Sequence, residues 1–308
     1  MTKDIKEFEY GLEELESLGV IPFTLKKDSL ADKYVYTWNT VKNYYPEHLR
    51  STSFVTKELI ENVKKVGIDE IMMPDQPEEP VEVCHELTYK EILQHYKGMI
   101  AHTQGSIWNE IQNYDALFMT RETHFNVVES TGRSVALVFP AADCAVIRMY
   151  DKKNDVIGIS HSGILHTTKN VIGSMAEYMR DHFHSNMDDV IVFVSAFANE
   201  GMIWDKVPPY AEKNPEIWGD YVVKLDDGNY MVKYEDKIYD QLIESGLLEK
   251  NIYFNKDNTI KDTTYFSNTR IKRKDNPDRA GRNMFVISFD SLPIYEENET
   301  PKVNIKLK

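Results

Sequence analysis

Val135-Ala136-Leu137-Val138-Phe139, Ala145-Val146-Ile147-Arg148-Met149-Tyr150 and Val156-Ile157-Gly158-Ile159-Ser160 follow one another with short interruptions, and their length decides the fold class. Each run is mostly apolar and of the length that suits a strand buried on both faces. Asp151-Lys152-Lys153-Asn154-Asp155, between the second and third, reads as a turn. Val190–Phe197, Ile252–Phe254 and Met284–Phe289 have the same texture. Helices alternate with these runs. Thr167 or Thr168 is placed to cap a helix whose inner face is Val171, Ile172, Met175, Met179 and Phe183. Tyr234, Ile238 and Leu242 mark another, with Gly246 near its end. The expected class is α/β (α+β): a mixed β-sheet core flanked by helices.

The first third of the chain reads differently. Ile5, Phe8, Leu12 and Leu15 recur at helical spacing before Gly19, and a second helix is expected from Thr56, with Leu59, Ile60, Val63 and Val66 on one face and Gly67 after it. Tyr34, Tyr36 and Trp38 alternate as on a strand, with core packing as their role. Residues 74–82, Pro-Asp-Gln-Pro-Glu-Glu-Pro-Val-Glu, form a proline- and acid-rich surface loop or linker. The division drawn there is 1–90, an N-terminal elaboration, and 91–308, an α/β core, the two expected to form one compact domain.

The chain has 308 residues, of which 42% are hydrophobic, enough to bury a sizeable core. Its net charge of −14 argues against broad binding of nucleic acid or anionic membranes, since phosphates reward the opposite sign. No apolar signal core opens it, and no run of 18 apolar residues is present. Its 2 cysteines, Cys84 and Cys144, make no disulfide framework and no CxxC pair. A cytoplasmic enzyme of small molecules is the expected class; oligomeric state is not readable.

Cys144 and His161 stand at adjacent strand ends, in Ala142-Asp143-Cys144 and Ile159-Ser160-His161-Ser162-Gly163. A thiol and an imidazole so placed serve either as nucleophile and base or as two ligands of a zinc ion. Asp143 joins them as a source of charge or a hydrogen bond, or as a turn cap. His124, His182 and His184 carry no such signal. The last two suit the negative end of a helix.

Asp115-Ala116-Leu117, Ser134–Phe139, Ala142-Asp143-Cys144 and Gly158-Ile159-Ser160-His161-Ser162-Gly163 together resemble the laccase-domain family, also called multicopper polyphenol oxidases and purine nucleoside phosphorylases. The family pattern runs "DALVT … ADC … G.VHAGWRG", and the step from Cys144 to His161 matches it. Tyr265-Phe266-Ser267-Asn268-Thr269-Arg270 resembles "FFSYRR", and Gly281-Arg282-Asn283-Met284 resembles "GRMAA". The likeness spans roughly residues 95–290, and it makes 91–308 a laccase-like α/β core.

The resemblance implies an α/β enzyme, its fold also similar to that of bacterial cysteine–histidine deamidases. It implies a zinc site of two histidines and one cysteine, and purine nucleosides as substrates for deamination or phosphorolysis. Cys144 and His161 match two ligands. The family's "Q.HG" stretch reads His102-Thr103-Gln104-Gly105 here, so His102 is the candidate third ligand and Gln104 falls among the substrate-binding residues. Glutamine is a poor zinc ligand. Arg270 and Arg282 are candidate contacts for phosphate or sugar, with loop bracing as the structural alternative. Lys272, Arg273, Lys274 and Arg279 make the same stretch locally basic. Where the family shows "HAGWRG" the chain reads His161-Ser162-Gly163-Ile164-Leu165-His166, without tryptophan or arginine and with an added imidazole. Two further readings are a metal-free Cys144–His161 hydrolase or deamidase, and an inactive nucleoside-binding relative. Copper oxidation ranks last, since 9 scattered histidines lack the spacing of multicopper clusters.

Overall fold

The computed structural model describes residues 6–7, 20–25, 70–72, 82–93, 114–199, 202–271 and 282–289. The apolar runs become strands, and the chain lays them in two sheets. In chain order these are β1 (Lys6–Glu7), β2 (Val20–Leu25), β3 (Glu70–Met72), β4 (Glu82–Glu86), β5 (Tyr114–Thr120), β6 (Val135–Ala141), β7 (Ala145–Asp151), β8 (Val156–Ser162), β9 (Val190–Val194), β10 (Ile203–Trp204), β11 (Val222–Lys224), β12 (Tyr230–Val232), β13 (Ile252–Phe254) and β14 (Asn283–Phe289). The large sheet has the order β1-β13-β9-β7-β8-β5-β4, and a four-stranded sheet the order β2-β14-β6-β3. A small ribbon, β10-β12-β11, lies apart from both.

The large sheet is antiparallel at its centre, where β8 pairs with both β5 and β7 and β7 pairs with β9. Its outer pairs, β4 with β5 and β9 with β13 with β1, are parallel. Strand alternation divides the side chains between two layers. From β7 and β9, Ala145, Ile147, Met149, Val190, Val192 and Val194 face the helices. Val146, Tyr150, Ile191 and Phe193 face the four-stranded sheet. Both faces are therefore covered, which is why these strands read as continuous apolar runs. Arg148 is the exception: it is fully buried on β7, and its guanidinium donates to Val286 O at 3.3 Å. Burial lowers its pKa to about 10, so it stays charged at neutral pH.

Four helices serve the site: α1 (Arg121–Thr131), α2 (Ile164–Thr168), α3 (Val171–Phe183) and α4 (Tyr234–Glu244). α3 carries Val171, Ile172, Met175 and Met179 inward as its periodicity requires, while Phe183 is only partly buried against the same layer. Its cap is Asn170, not Thr167 or Thr168. Asn170 takes a left-handed φ of 56°, and its side chain accepts from the Gly173 amide. Both threonines are held in α2 instead. Lys6–Glu7, inside the helix expected from Ile5 to Leu15, is a short strand pairing with β13. The remainder of that helix lies outside the described residues, as do the helix from Thr56, Tyr34–Trp38 and nearly all of the 74–82 loop. Among the described residues no helix is long and apolar enough to cross a membrane.

Gly158 shows how tightly the helical layer closes. A Cβ there would stand 2.4 Å from Phe118 Cε1 and 2.6 Å from Cδ1. That ring is fully buried and stacks on Tyr178 with centroids 5.1 Å apart. Gly158→Ala is expected to destabilise the chain by about 1–3 kcal/mol through overpacking. Urea unfolding checks this, and the cost should shrink in a Phe118→Leu background.

Candidate functional site

Cys144 lies where the chain leaves the four-stranded sheet at Ala141 and enters the large one at Ala145. The turn between them is held by Asp143, which takes a φ of 85°, a conformation rare outside glycine. Three bonds fix it there. Its Oδ1 accepts from Thr259 Oγ1 at 2.8 Å, its Oδ2 from the Thr269 amide at 2.5 Å, and its carbonyl from the Ala198 amide at 3.0 Å. Asp143 is thus a clasp that aims the following residue.

His161 comes from the neighbouring strand. The β7–β8 register pairs Ala145 with Ser162 and Val146 with His161, which brings the end of β8 beside Cys144. Gly163 follows at once. A Cβ on it would stand 3.2 Å from Cys144 Sγ, 3.3 Å from His161 Nε2 and 2.9 Å from His161 Cε1. Thiol and imidazole therefore converge on the space that the missing side chain leaves. The strand end is pinned from below by Tyr234 of α4, whose hydroxyl donates to Ser162 O and lies 3.4 Å from Thr167 Oγ1. Gln241 adds a bond from its Nε2 to Thr167 O at 2.7 Å, and Trp218 one to Thr168 Oγ1 at 2.8 Å.

Cys144 and His161 are each partly buried, with charges of both signs nearby. Burial, reinforced by the Asp143 carboxylate and opposed by Arg282, pushes the Cys144 thiol up to about 11. Burial, then His166 and Arg282, holds the His161 imidazole well below its ordinary range. At neutral pH the pair is a thiol and a neutral imidazole, not a thiolate–imidazolium couple. A second imidazole stands close: the His166 ring lies 4.7 Å from that of His161, centroid to centroid, at 70°. His166 Nε2 is 3.1 Å from Asp115 Oδ1, and both side chains are buried. The contact has the length of an ion pair without the alignment of a hydrogen bond.

Of the residues singled out from sequence, Cys144, His161, Asp143 and Arg282 come together. His102, Gln104 and the basic stretch from Lys272 to Arg279 lie outside the described residues. Arg270 is buried and braces a loop. Its Nη1 donates to Thr259 O at 2.6 Å, Ile260 O at 3.1 Å and Asp262 O at 3.2 Å, and its Nη2 to Tyr265 O. That loop carries Thr259, which in turn holds Asp143. Asp115 and Tyr234 were not singled out as site residues. Asp115 is visible only inside the Asp115-Ala116-Leu117 stretch, and Tyr234 only as part of a helix face.

Residues 91–290 match the family model described as multi-copper polyphenol oxidoreductase laccase, and the chain belongs to that family. Its fold is also that of solved structures. The hypothetical protein YfiH of Bacillus licheniformis is 17% identical, with a TM-score of 0.61 over 90% of this chain and 94% of that one. YlmD from Geobacillus stearothermophilus is 13% identical, with a TM-score of 0.62 over 88% and 92%. A Neisseria meningitidis protein is 16% identical, with a TM-score of 0.52 over 87% and 99%. No curated protein sequence matches the chain.

A metal ion is implied by the family resemblance, and the residues present fit one in type. Cys144 and His161 are zinc donors aimed at one cradle beside Gly163. The Nδ1 atoms of His161 and His166 are buried with no hydrogen-bond partner among the described residues. As they stand, no three His, Cys, Asp or Glu side chains among the described residues form a group that could hold an ion.

Arg270→Met separates bracing from substrate binding. Loss of its carbonyl contacts is expected to destabilise the chain by roughly 2–4 kcal/mol. A chemical-denaturation curve reads this, and unchanged stability would return Arg270 to the list of ligand contacts.

Proposed function

We propose that the chain is a purine nucleoside enzyme, acting by deamination, phosphorolysis or both, with a zinc ion held at Cys144 and His161. The observation that carries the site is the convergence of Cys144 Sγ and His161 Nε2 beside Gly163. The substrate class is supported by the family resemblance. Zinc supplies Lewis acidity, polarising a water or a substrate oxygen.

The chain's own residues set the rest. Asp143 fixes the direction of Cys144 through Thr259 and the Thr269 amide. Ser162, held by Tyr234, fixes that of His161. Arg282 is half-buried, and its charge is felt by both Cys144 and His161. A guanidinium there suits a phosphate oxygen or a sugar hydroxyl. A metal-free Cys144 nucleophile would need His161 to take up the thiol proton, since burial pushes that thiol up to about 11.

The test is incubation of the full chain, zinc added, with adenosine, inosine, guanosine or methylthioadenosine, with and without inorganic phosphate. Deamination gives inosine and ammonia from adenosine and water. Phosphorolysis gives the free base and the pentose 1-phosphate. Cys144→Ala and His161→Ala should each lower the rate by about 10²-fold or more. No conversion of any of the four nucleosides by wild type would overturn the proposal.

Gly163 gives a second check. Its φ of −76° and ψ of 175° suit alanine, so Gly163→Ala should fold. The added methyl fills the cradle and should lower zinc affinity and turnover at least about tenfold, at a stability cost of about 1–3 kcal/mol from its close approach to the His161 ring. Zinc titration beside a melting curve measures both.

A further inference from the structure

His166 stands on the short helix α2, just beyond the glycine that opens the cradle. We infer that His166, anchored by Asp115, is the positioning residue that sets the plane of the His161 imidazole; its bearing on catalysis rests on the reading of His161 given above.

A strand fixes where a side chain leaves the backbone, but the last torsion of an imidazole is broad. A hydrogen bond on the far ring nitrogen ordinarily narrows it. His161 lacks that bond: its Nδ1 is buried and has no hydrogen-bond partner among the described residues. Among those residues, the ring that meets it is His166. The two imidazoles stand edge to face, 4.7 Å between centroids and 70° between planes. Aromatic rings favour this arrangement, and it restrains the plane of the ring that is packed upon.

The strand register shows what holds His166. β5 and β8 are antiparallel, with Ala116 opposite Ser160 and Leu117 opposite Ile159. One further step sets Asp115 opposite His161. Strand alternation then puts both on the face of Leu117 and Ile159, which looks to the four-stranded sheet. A carboxylate beside a working imidazole usually bonds it directly. Here it meets the other ring instead, with Asp115 Oδ1 3.1 Å from His166 Nε2. Asp115 is 2% exposed and His166 9%, so the contact is enclosed by protein. Orientation passes from β5 through α2 to the end of β8, and no side chain has to move for it to do so.

The test is nuclear Overhauser spectroscopy on the full chain, metal-free and labelled at histidine and glycine, with a melting curve on every variant. His161 Cε1 lies 2.9 Å from the point a Gly163 Cβ would occupy. Wild type should therefore show a cross-peak between the His161 Hε1 and a Gly163 Hα, assigned by its absence in His161→Gln. Two double variants avoid leaving a buried carboxylate unpaired. Asp115→Leu with His166→Phe keeps a ring and should keep the cross-peak. Asp115→Leu with His166→Ala removes the ring and should lose it. Asp115→Ala alone leaves His166 without its anchor and should weaken the cross-peak at least about twofold. Zinc affinity should follow, about tenfold weaker in the alanine double and within about threefold of wild type in the phenylalanine double.

A wild-type cross-peak in the folded alanine double would overturn the inference, as would its loss from the folded phenylalanine double. Should neither double fold, an undiminished cross-peak in Asp115→Ala would overturn it. These signals need neither zinc nor substrate. Failure of zinc binding and of nucleoside conversion, with the cross-peaks as expected, would sink the proposed function and leave the role of His166 standing.

Discussion

The structure turns on one carboxylate. Asp143 sits where the chain crosses from one sheet to the other, in a backbone conformation that costs an ordinary residue on the order of 1–3 kcal/mol. Its bonds to Thr259, to the Thr269 amide and to the Ala198 amide hold it there. Those three partners belong to three separate stretches after β9, so one side chain ties the crossover to the loops that wall the pocket. Without that clasp, the register of β7 against β8 would still place two strand ends side by side, but nothing would aim the thiol at the imidazole.

The walls themselves are secured by backbone-directed polar groups. Arg270 gathers the carbonyls of the 259–265 loop. Asn283 donates to Ala141 O at 3.2 Å and Phe266 O at 3.0 Å and accepts from the Phe266 amide at 2.9 Å, fastening that loop to the end of β6. Buried hydrogen bonds of this kind cost much to break and little to keep, so they give a rigid rim. Burial of the thiol and the imidazole behind such a rim favours the neutral form of each.

The core strands were legible in the sequence because both of their faces are covered, which leaves an uninterrupted apolar run. α3 was legible from its spacing, but its start was not. Asn170 in a left-handed turn competes successfully with the nearby threonines, and only the fold reveals that preference. α1 leaves no mark in the spacing of the sequence. Its sequence is polar, with only His124 and Val127 buried, so its inner face is too narrow to show a period. The placement of Cys144 and His161 at neighbouring strand ends was legible through their order and spacing. The commitments of Arg270, Asp115 and Tyr234 were not, because each depends on partners brought together by the long-range pairing of strands. A guanidinium facing a ligand and one facing carbonyls look alike as letters.

The position of β14 has a consequence for assembly. This strand runs between β2 and β6 in the four-stranded sheet. It carries Asn283, with Arg282 immediately before it. The sheet therefore joins segments from both ends of the chain, a topology with many distant contacts and correspondingly slow closure. On a ribosome, the strands that carry Cys144 and His161 are made long before the one that completes their rim. The rim around Cys144 and His161 is therefore completed by a segment synthesised well after the residues it encloses.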